Sequence, residues 1–122
     1  MTKGAAIFDF WSGFGLTAYE ENTVPTEAKF PYITYQLITD SFGNEVVAVA
    51  SLWYRSESWK PINDKTEEIS KKIGRGGIVI PCDNGRIWIK RGQPFAQNMG
   101  DDSDDLIRRK LINVTIEYLT QD

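Results

Sequence analysis

The first apolar pattern in the chain is typical of an amphipathic helix and covers residues 5–14. Its large apolar side chains recur at i, i+3, i+4 and i+7, which places them on one helical face: Ile7, Phe10, Trp11 and Phe14. Gly13 and Gly15 lower the helix propensity, so we expect the helix to end near them. The aromatic residues predict core packing, or contact of some of them with a neighbouring subunit.

A longer helical pattern covers residues 56–73 and predicts the main helix. One stripe of side chains has the spacing of a buried helical face: Ile62, Thr66, Ile69 and Ile73. Ser56 or Ser58 is a candidate N-cap, and Pro61 fits the first turn. Gly74 is suited to end the helix at its C-terminus. On the solvent face we expect two i,i+4 ion pairs: Glu67 with Lys71, and Glu68 with Lys72.

Alternating apolar positions predict a first β-hairpin before the main helix. Residues 30–40 are rich in aromatic and β-branched side chains that alternate, as in a strand. Residues 45–54 are apolar on both faces, which indicates a central, buried strand. Turn-forming residues at 41–44 join the two as a hairpin with a four-residue loop.

A second hairpin and a final strand are predicted after the main helix. Residues 78–82 and 86–91 flank Asn84-Gly85, a strong hairpin turn signal. Residues 106–120 are expected to form a final strand with one buried and one solvated face. Within it, four apolar residues alternate with polar ones: Ile112, Val114, Ile116 and Tyr118. Two polar stretches are interpreted as irregular connections: residues 16–29 and 92–105.

These elements predict a single α+β domain over residues 1–122. The order is helix, strand, strand, helix and then three strands. The mostly antiparallel mixed sheet is expected to have about five strands and to be flanked by two main helices. A chain of 122 residues, 41% of them hydrophobic, is long enough to bury a core without metals or disulfides.

The composition excludes several kinds of chemistry. The chain has no histidine, which removes Ser-His-Asp and Cys-His catalysis. Its single cysteine, Cys82, allows neither an internal disulfide nor a multi-cysteine zinc site, and it favours a reducing, intracellular history. No run approaches the ~20 apolar residues of a membrane span, and Asp9 breaks the first apolar stretch too early for a signal peptide. We therefore expect a soluble protein made in a cytoplasm.

The most visible charge cluster is acidic and surrounds Ser103: Asp101, Asp102, Asp104 and Asp105. Loop carboxylates can ligate calcium or magnesium, but the pattern lacks the glycine and the glutamate of an EF-hand loop. A solvated loop is the favoured interpretation. A third interpretation is an acidic surface that repels phosphates, as the wall of a DNA channel would.

Two basic runs flank the acidic loop, in a chain of net charge −3: Arg86, Lys90 and Arg91, then Arg108, Arg109 and Lys110. In the final strand, Arg108 and Lys110 should point to one face and Arg109 to the other. The negative net charge and the neighbouring aspartates oppose a nucleic-acid stripe. Salt bridges between subunits are favoured over that stripe, with an ordinary solvated surface as the other alternative.

Three aromatic residues lie around the connection from the second strand to the main helix: Trp53, Tyr54 and Trp59. Core packing is the usual reason for such a group. A contact patch is the functional alternative, because aromatic side chains are enriched in protein interfaces.

Several segments from residue 30 onward resemble a known family. They are Phe30-Pro31-Tyr32-Ile33-Thr34-Tyr35, Ala50-Ser51-Leu52-Trp53-Tyr54-Arg55-Ser56 with Trp59-Lys60, Trp88-Ile89-Lys90-Arg91-Gly92, Pro94-Phe95-Ala96-Gln97, and Ile112-Asn113-Val114-Thr115. Over about three quarters of the chain, this pattern resembles the small tail terminator or tail completion (minor tail) proteins of long, non-contractile-tailed bacteriophages and prophages of Gram-positive bacteria.

The resemblance implies a ring, typically a homohexamer, at the end of the tail tube. Such a ring stops polymerisation of the tail tube protein and offers the surface to which the head and its neck connector dock. DNA passes through its lumen without specific binding. The resemblance further implies a structural virion protein assembled in the host bacterial cytoplasm, with no enzymatic activity, cofactor or membrane contact. In such a ring, the four aspartates are expected to line the lumen or the subunit contact.

Two alternatives stay open at this point. One is a neck or head-completion adaptor protein at the portal. The other is a small nucleic-acid-binding module that uses the six basic residues of the two runs. A magnesium-dependent enzyme built on the aspartates is disfavoured, because catalytic carboxylates need rigid elements and these lie in a loop.

Overall fold

The structure is a computed structural model that describes residues 1–100 and 104–122 and contains both helices and strands. The helices are α1 (Lys3–Ser12) and α2 (Lys60–Ile73). The strands are β1 (Thr17–Glu20), β2 (Tyr32–Tyr35), β3 (Glu45–Arg55), β4 (Ile78–Cys82), β5 (Gly85–Met99) and β6 (Ile107–Thr120). The predicted α+β class is confirmed, with six strands in the described residues where about five were expected.

The six strands form one mixed sheet in the order β1-β2-β3-β6-β5-β4. β1 runs parallel to β2, and every other neighbouring pair is antiparallel. The centre of the sheet is the pair β3 and β6, whose register runs from Glu45 opposite Glu117 to Arg55 opposite Ile107. β1 and β4 form the two edges, so the ends of the sheet are made of its shorter strands.

α1 begins two residues before the predicted start and ends two residues before the predicted stop. Its N-cap is Thr2, whose hydroxyl accepts a hydrogen bond from the Ala5 amide at 3.1 Å. The expected stripe faces the sheet, and Phe14, beyond the helix end, is buried with it. The three large rings of this stripe pack on one another, with the Phe10 and Trp11 centroids 4.9 Å apart.

α2 carries the predicted stripe Ile62, Thr66, Ile69 and Ile73, all of which are buried. The predicted serine caps are wrong, because Trp59 holds the N-cap position without a side-chain hydrogen bond. The Ser58 hydroxyl instead accepts from the Lys60 amide at 3.3 Å. Glu68 pairs with Lys65 at 2.9 Å instead of the expected Lys72, so the solvent face uses i,i+3 spacing here.

Both helices pack on the same face of the sheet, where the core lies. The buried alternation of β6 shows this best, because its core-facing residues are almost fully covered: Ile112, Val114, Ile116 and Tyr118. On the opposite face, Val47 is 64% exposed. No helix of residues 1–100 and 104–122 lies against that face, which we call the open face.

Two predicted connections contain strands. The stretch 16–29 includes β1. The sequence pattern does not predict this strand, because only Ala18 of its four residues is buried. The stretch 92–105 includes the second half of β5, beyond a register shift between Arg91 and Ala96. There the Asn113 side chain donates to the Pro94 carbonyl at 3.0 Å and so bridges the irregular segment.

The first predicted hairpin is also different in detail. β2 ends at Tyr35, so residues 36–44 form a connection longer than the predicted four-residue loop. Gln36 is the reason, since its backbone amide still donates to the Val49 carbonyl at 2.9 Å. Its side-chain oxygen then accepts from the Val49 amide at 3.0 Å, in place of a backbone acceptor. The side chain thereby ends the ladder with its polar groups satisfied.

Candidate functional site

A row of aromatic side chains crosses the open face near one edge of the sheet. Tyr32 on β2 is directly opposite Trp53 on β3, and Trp53 is directly opposite Arg109 on β6. Direct cross-strand partners share a face, so the three side chains stand next to one another. Phe30 and Tyr19 flank Tyr32. We call these five residues the aromatic ridge: Tyr19, Phe30, Tyr32, Trp53 and Arg109.

The rings of the ridge are stacked side by side. The Tyr32 and Trp53 centroids are 6.1 Å apart with an angle of 18° between the planes. The guanidinium carbon of Arg109 lies 4.6 Å from the Trp53 centroid, on the β6 side. The ring of Trp53 is therefore enclosed by a tyrosine on one side and by a cation on the other. Such stacked and cation–π contacts each contribute on the order of 0.5–1.5 kcal/mol.

Two buried hydroxyl groups on the same face of the sheet hold Trp53 and Arg109 in place. The Trp53 indole N–H donates to the Thr34 hydroxyl at 2.9 Å, and Arg109 Nε donates to the Ser51 hydroxyl at 3.2 Å. Both Thr34 and Ser51 are buried. Burial, with the nearby Tyr19, raises the pKa of Tyr32, so this side chain stays neutral at physiological pH. The ridge is thus a rigid, uncharged row of rings that ends in one cation.

The structure does not bring together the three aromatic residues that the sequence analysis grouped. Trp53 belongs to the ridge on the open face. Tyr54, its neighbour in β3, points to the helix side, where burial first and then Glu68 and Asp64 raise its pKa. Trp59 precedes α2 and lies 5.4 Å from the Arg108 guanidinium carbon. The sequence analysis missed Tyr19, Phe30 and Tyr32. The strand register that places them beside Trp53 cannot be predicted from local sequence.

The six predicted basic residues divide between the two faces of the sheet. Arg86, Lys90 and Arg109 lie on the open face, since their cross-strand partners alternate with the buried positions. Arg91, Arg108 and Lys110 lie on the helix side, where Arg91 donates to Ser70 of α2 at 2.9 Å. The predicted opposition of Arg109 to Arg108 and Lys110 is confirmed. No continuous basic stripe forms among these six residues.

Most of the same six residues are engaged within the chain. Lys90 lies between the carboxylates of Glu45 and Glu117, two like charges directly opposite each other. Arg108 donates to the carbonyls of Asp105 at 2.8 Å and Glu57 at 3.2 Å. Lys110 donates to Asn63 of α2, and burial lowers its pKa against an opposing effect of Glu67. These contacts hold local structure together and leave little basic surface to a ligand.

Of the four predicted acidic residues, Asp101 and Asp102 lie outside the described residues. Asp104 pairs with Arg55, whose Nε is 3.0 Å from its carboxylate, and so with none of the six predicted basic residues. Its other oxygen accepts from the Leu106 amide at 2.8 Å. These two hydrogen bonds, the backbone one first, hold the pKa of Asp104 below its ordinary value. Asp105 is exposed, and its contact with Arg108 uses the backbone carbonyl.

A concavity of about 380 Å³ lies where the two chain ends meet, and it is lined by Lys3, Asp83, Asn84 and Asp122 among others. Its polar groups bond within the chain, because the Lys3 amine donates to the backbone carbonyls of Asp40 and Asp122 and the Asp83 carboxylate pairs with the N-terminal amine. Across residues 1–100 and 104–122, no group of three His, Cys, Asp or Glu side chains is placed to hold a metal ion. Over the same residues, no helix is long and apolar enough to cross a membrane.

Comparison with known proteins assigns the chain to no family. The chain has no significant match among protein-family models, curated proteins or solved structures. Function is therefore inferred from the fold, the open face and the resemblance of the segments quoted above.

Proposed function

We propose that the chain is a structural protein of a bacteriophage tail, which forms a ring that caps the tail tube, stops its polymerisation and provides the head-joining surface. The observation that carries this proposal is the aromatic ridge, an ordered row of rings on a sheet face that no described helix covers. The resemblance to tail terminator proteins supplies the biological setting, and the ridge supplies a surface for assembly.

The chemistry of the ridge favours binding to protein. Tyrosine, tryptophan and arginine are the residues that contribute most to protein interfaces. The hydrogen bonds to Thr34 and Ser51 fix Trp53 and Arg109 before any partner arrives. A pre-ordered surface loses less side-chain entropy on association, which favours a stable complex. Phe30, at 36% exposed, extends the apolar area beyond the stacked rings.

The same geometry gives less support to a nucleic-acid-binding module. Bases bind to single-strand-binding proteins by stacking on free aromatic faces beside a basic groove. Here both faces of Trp53 are occupied, by Tyr32 and by Arg109. The basic residues lie on opposite faces of the sheet, in a chain of net charge −3.

The test is co-assembly with the tail tube protein of the same phage or prophage, followed by electron microscopy. We expect tubes of limited length with a ring at one end. Phe30→Ser should weaken capping, so that about tenfold more protein is needed, since it removes an exposed ring of the ridge. Phe42→Ser is the matched control, because Phe42 is 66% exposed in the turn before β3 and away from the ridge.

Two outcomes would contradict the proposal. Tubes that grow to unlimited length in the presence of excess protein would remove the capping function. Binding to an isolated portal or head particle, without binding to tubes, would reassign the chain to the neck adaptors.

A further inference from the structure

The outer surface of α1 has a composition that matches the aromatic ridge. Its exposed side chains are Ala5, Phe8 and Asp9, and Phe8 is 48% exposed. Phe8 and Asp9 are consecutive and both exposed, so a ring and a carboxylate project from neighbouring positions on the outer surface of the helix. Among the described residues, no cation forms a salt bridge with Asp9.

The ridge offers the complementary groups. Arg109 uses Nε for Ser51, and no carboxylate of the described residues lies within salt-bridge distance of its guanidinium. Among residues 1–100 and 104–122, no hydrogen bond engages its two terminal nitrogens, which lie at the end of a row of rings. Arginine forms the strongest such pairs, because its planar group can donate two parallel hydrogen bonds.

The outer face of α2 is a poorer match for the ridge. It carries both signs of charge, and two of its carboxylates are already paired: Asp64 with Lys60 at 2.8 Å and Glu68 with Lys65 at 2.9 Å. None of the residues from Lys60 to Ile73 is aromatic. Of the two helices in the described chain, α1 alone therefore combines an exposed ring with an unpaired carboxylate.

We infer that α1 of a second copy of this chain docks on the aromatic ridge, with its Phe8 against the rings and its Asp9 against Arg109. Within one chain these two surfaces lie on opposite sides of the sheet, so they cannot meet each other. The contact is therefore head-to-tail, and its repetition gives a ring if the rotation closes. The inference rests on the proposed ring function and identifies the subunit contact of that ring.

The layered architecture supports this arrangement. A sheet with helices on one face only leaves its second face uncovered, and a helix from a neighbour would complete the layers. The contact would add a desolvated ion pair at the end of an apolar row, where such a pair gives specificity of orientation. Only three residues of α1 are exposed, whereas a typical stable interface buries ~800 Å² per partner, so we expect association at high protein concentration.

The test is charge reversal, read as molar mass by light scattering after size exclusion over a wide range of protein concentration. The wild-type chain should form higher oligomers as its concentration rises. Asp9→Arg and Arg109→Glu should each raise the concentration needed for association by about tenfold or more. The two substitutions combined in one chain should restore association to within about threefold of the wild type, since the pair is rebuilt with opposite polarity.

Two controls keep the result interpretable. Glu67→Arg makes the same charge reversal at an exposed site on α2, and it should leave association unchanged. If Arg109→Glu does not fold, Phe8→Ser replaces it, because Phe8 is exposed and contributes little to the core. Phe8→Ser should then weaken association while Phe42→Ser does not.

Each other outcome overturns the inference. A wild-type chain that stays monomeric up to about millimolar concentration has no such self-contact. An assembly that stops at two chains and ignores Asp9→Arg would mean that two open faces pack on each other. A ring that forms equally well from every variant would move the subunit contact elsewhere and leave the proposed tube capping intact. Tube capping is decided separately by the co-assembly test, so the two failures can be told apart.

Discussion

At the scale of single residues, backbone geometry at the second hairpin depends on one glycine. Asn84 has φ 61° and Gly85 has φ 157°, which turns the chain from β4 into β5. An added Cβ at Gly85 would lie 2.1 Å from the Leu119 carbonyl oxygen, and that oxygen belongs to the neighbouring strand β6. The sequence Asn84-Gly85 predicted the turn correctly. It did not show that β6 approaches so closely, because that distance is set by the sheet.

Gly85→Ala should therefore destabilise the fold by about 3 kcal/mol, the upper part of the usual range for overpacking. Gly76→Ala is the matched control, because no atom lies within 4 Å of its added Cβ and its φ is not positive. That control should be neutral or stabilise by up to about 1 kcal/mol through the unfolded chain. Urea unfolding of the three proteins gives both values, and equal stability of the two variants would contradict the steric explanation.

At the scale of elements, the sequence predicted those with long periodic patterns and missed those set by tertiary context. The stripe of α2 spans twelve residues and the buried alternation of β6 spans nine, so their periods are unambiguous. β1 has four residues and a parallel partner, and its one buried residue, Ala18, carries no pattern. The aromatic ridge was missed for a related reason, since it unites β1, β2, β3 and β6 through pairing registers that local sequence does not contain.

The Asp104 carboxylate accepts from the Leu106 amide and pairs with Arg55 at the end of β3, and these contacts make a pH-dependent contribution to stability. The pKa of Asp104 is lowered in the folded chain, so the contribution is present above the ordinary aspartate pKa of about 3.9 and is lost as pH falls through the lower folded value. Asp104→Asn should be less stable than the wild type at pH 7, and this deficit should be smaller near pH 2. Unfolding at both pH values measures the difference. A difference that persists unchanged in acid would mean that the charge of Asp104 is not what stabilises the connection.

At the scale of the whole molecule, the net charge and its distribution determine the affinity that we expect for duplex DNA. The net charge is −3, and the basic residues of β5 and β6 are divided between two faces and largely paired. A protein without a continuous basic surface releases few counterions from a duplex and binds it weakly. Weak binding is what the proposed ring would need if DNA passes through its lumen, whereas a nucleic-acid-binding module would bind DNA tightly.

Replacing Asp101, Asp102, Asp104 and Asp105 by Asn should raise the affinity for duplex DNA, because removing four negative charges from −3 leaves +1. The wild-type chain should bind a fluorescent duplex only weakly at physiological salt. The variant should bind more tightly, by roughly tenfold at low salt, and the gain should shrink as salt rises. Fluorescence anisotropy across a salt series measures both proteins. Tight binding by the wild type, with a steep salt dependence, would instead support the nucleic-acid-binding alternative. It would contradict the expectation of weak binding that rests on the divided and paired basic residues of β5 and β6.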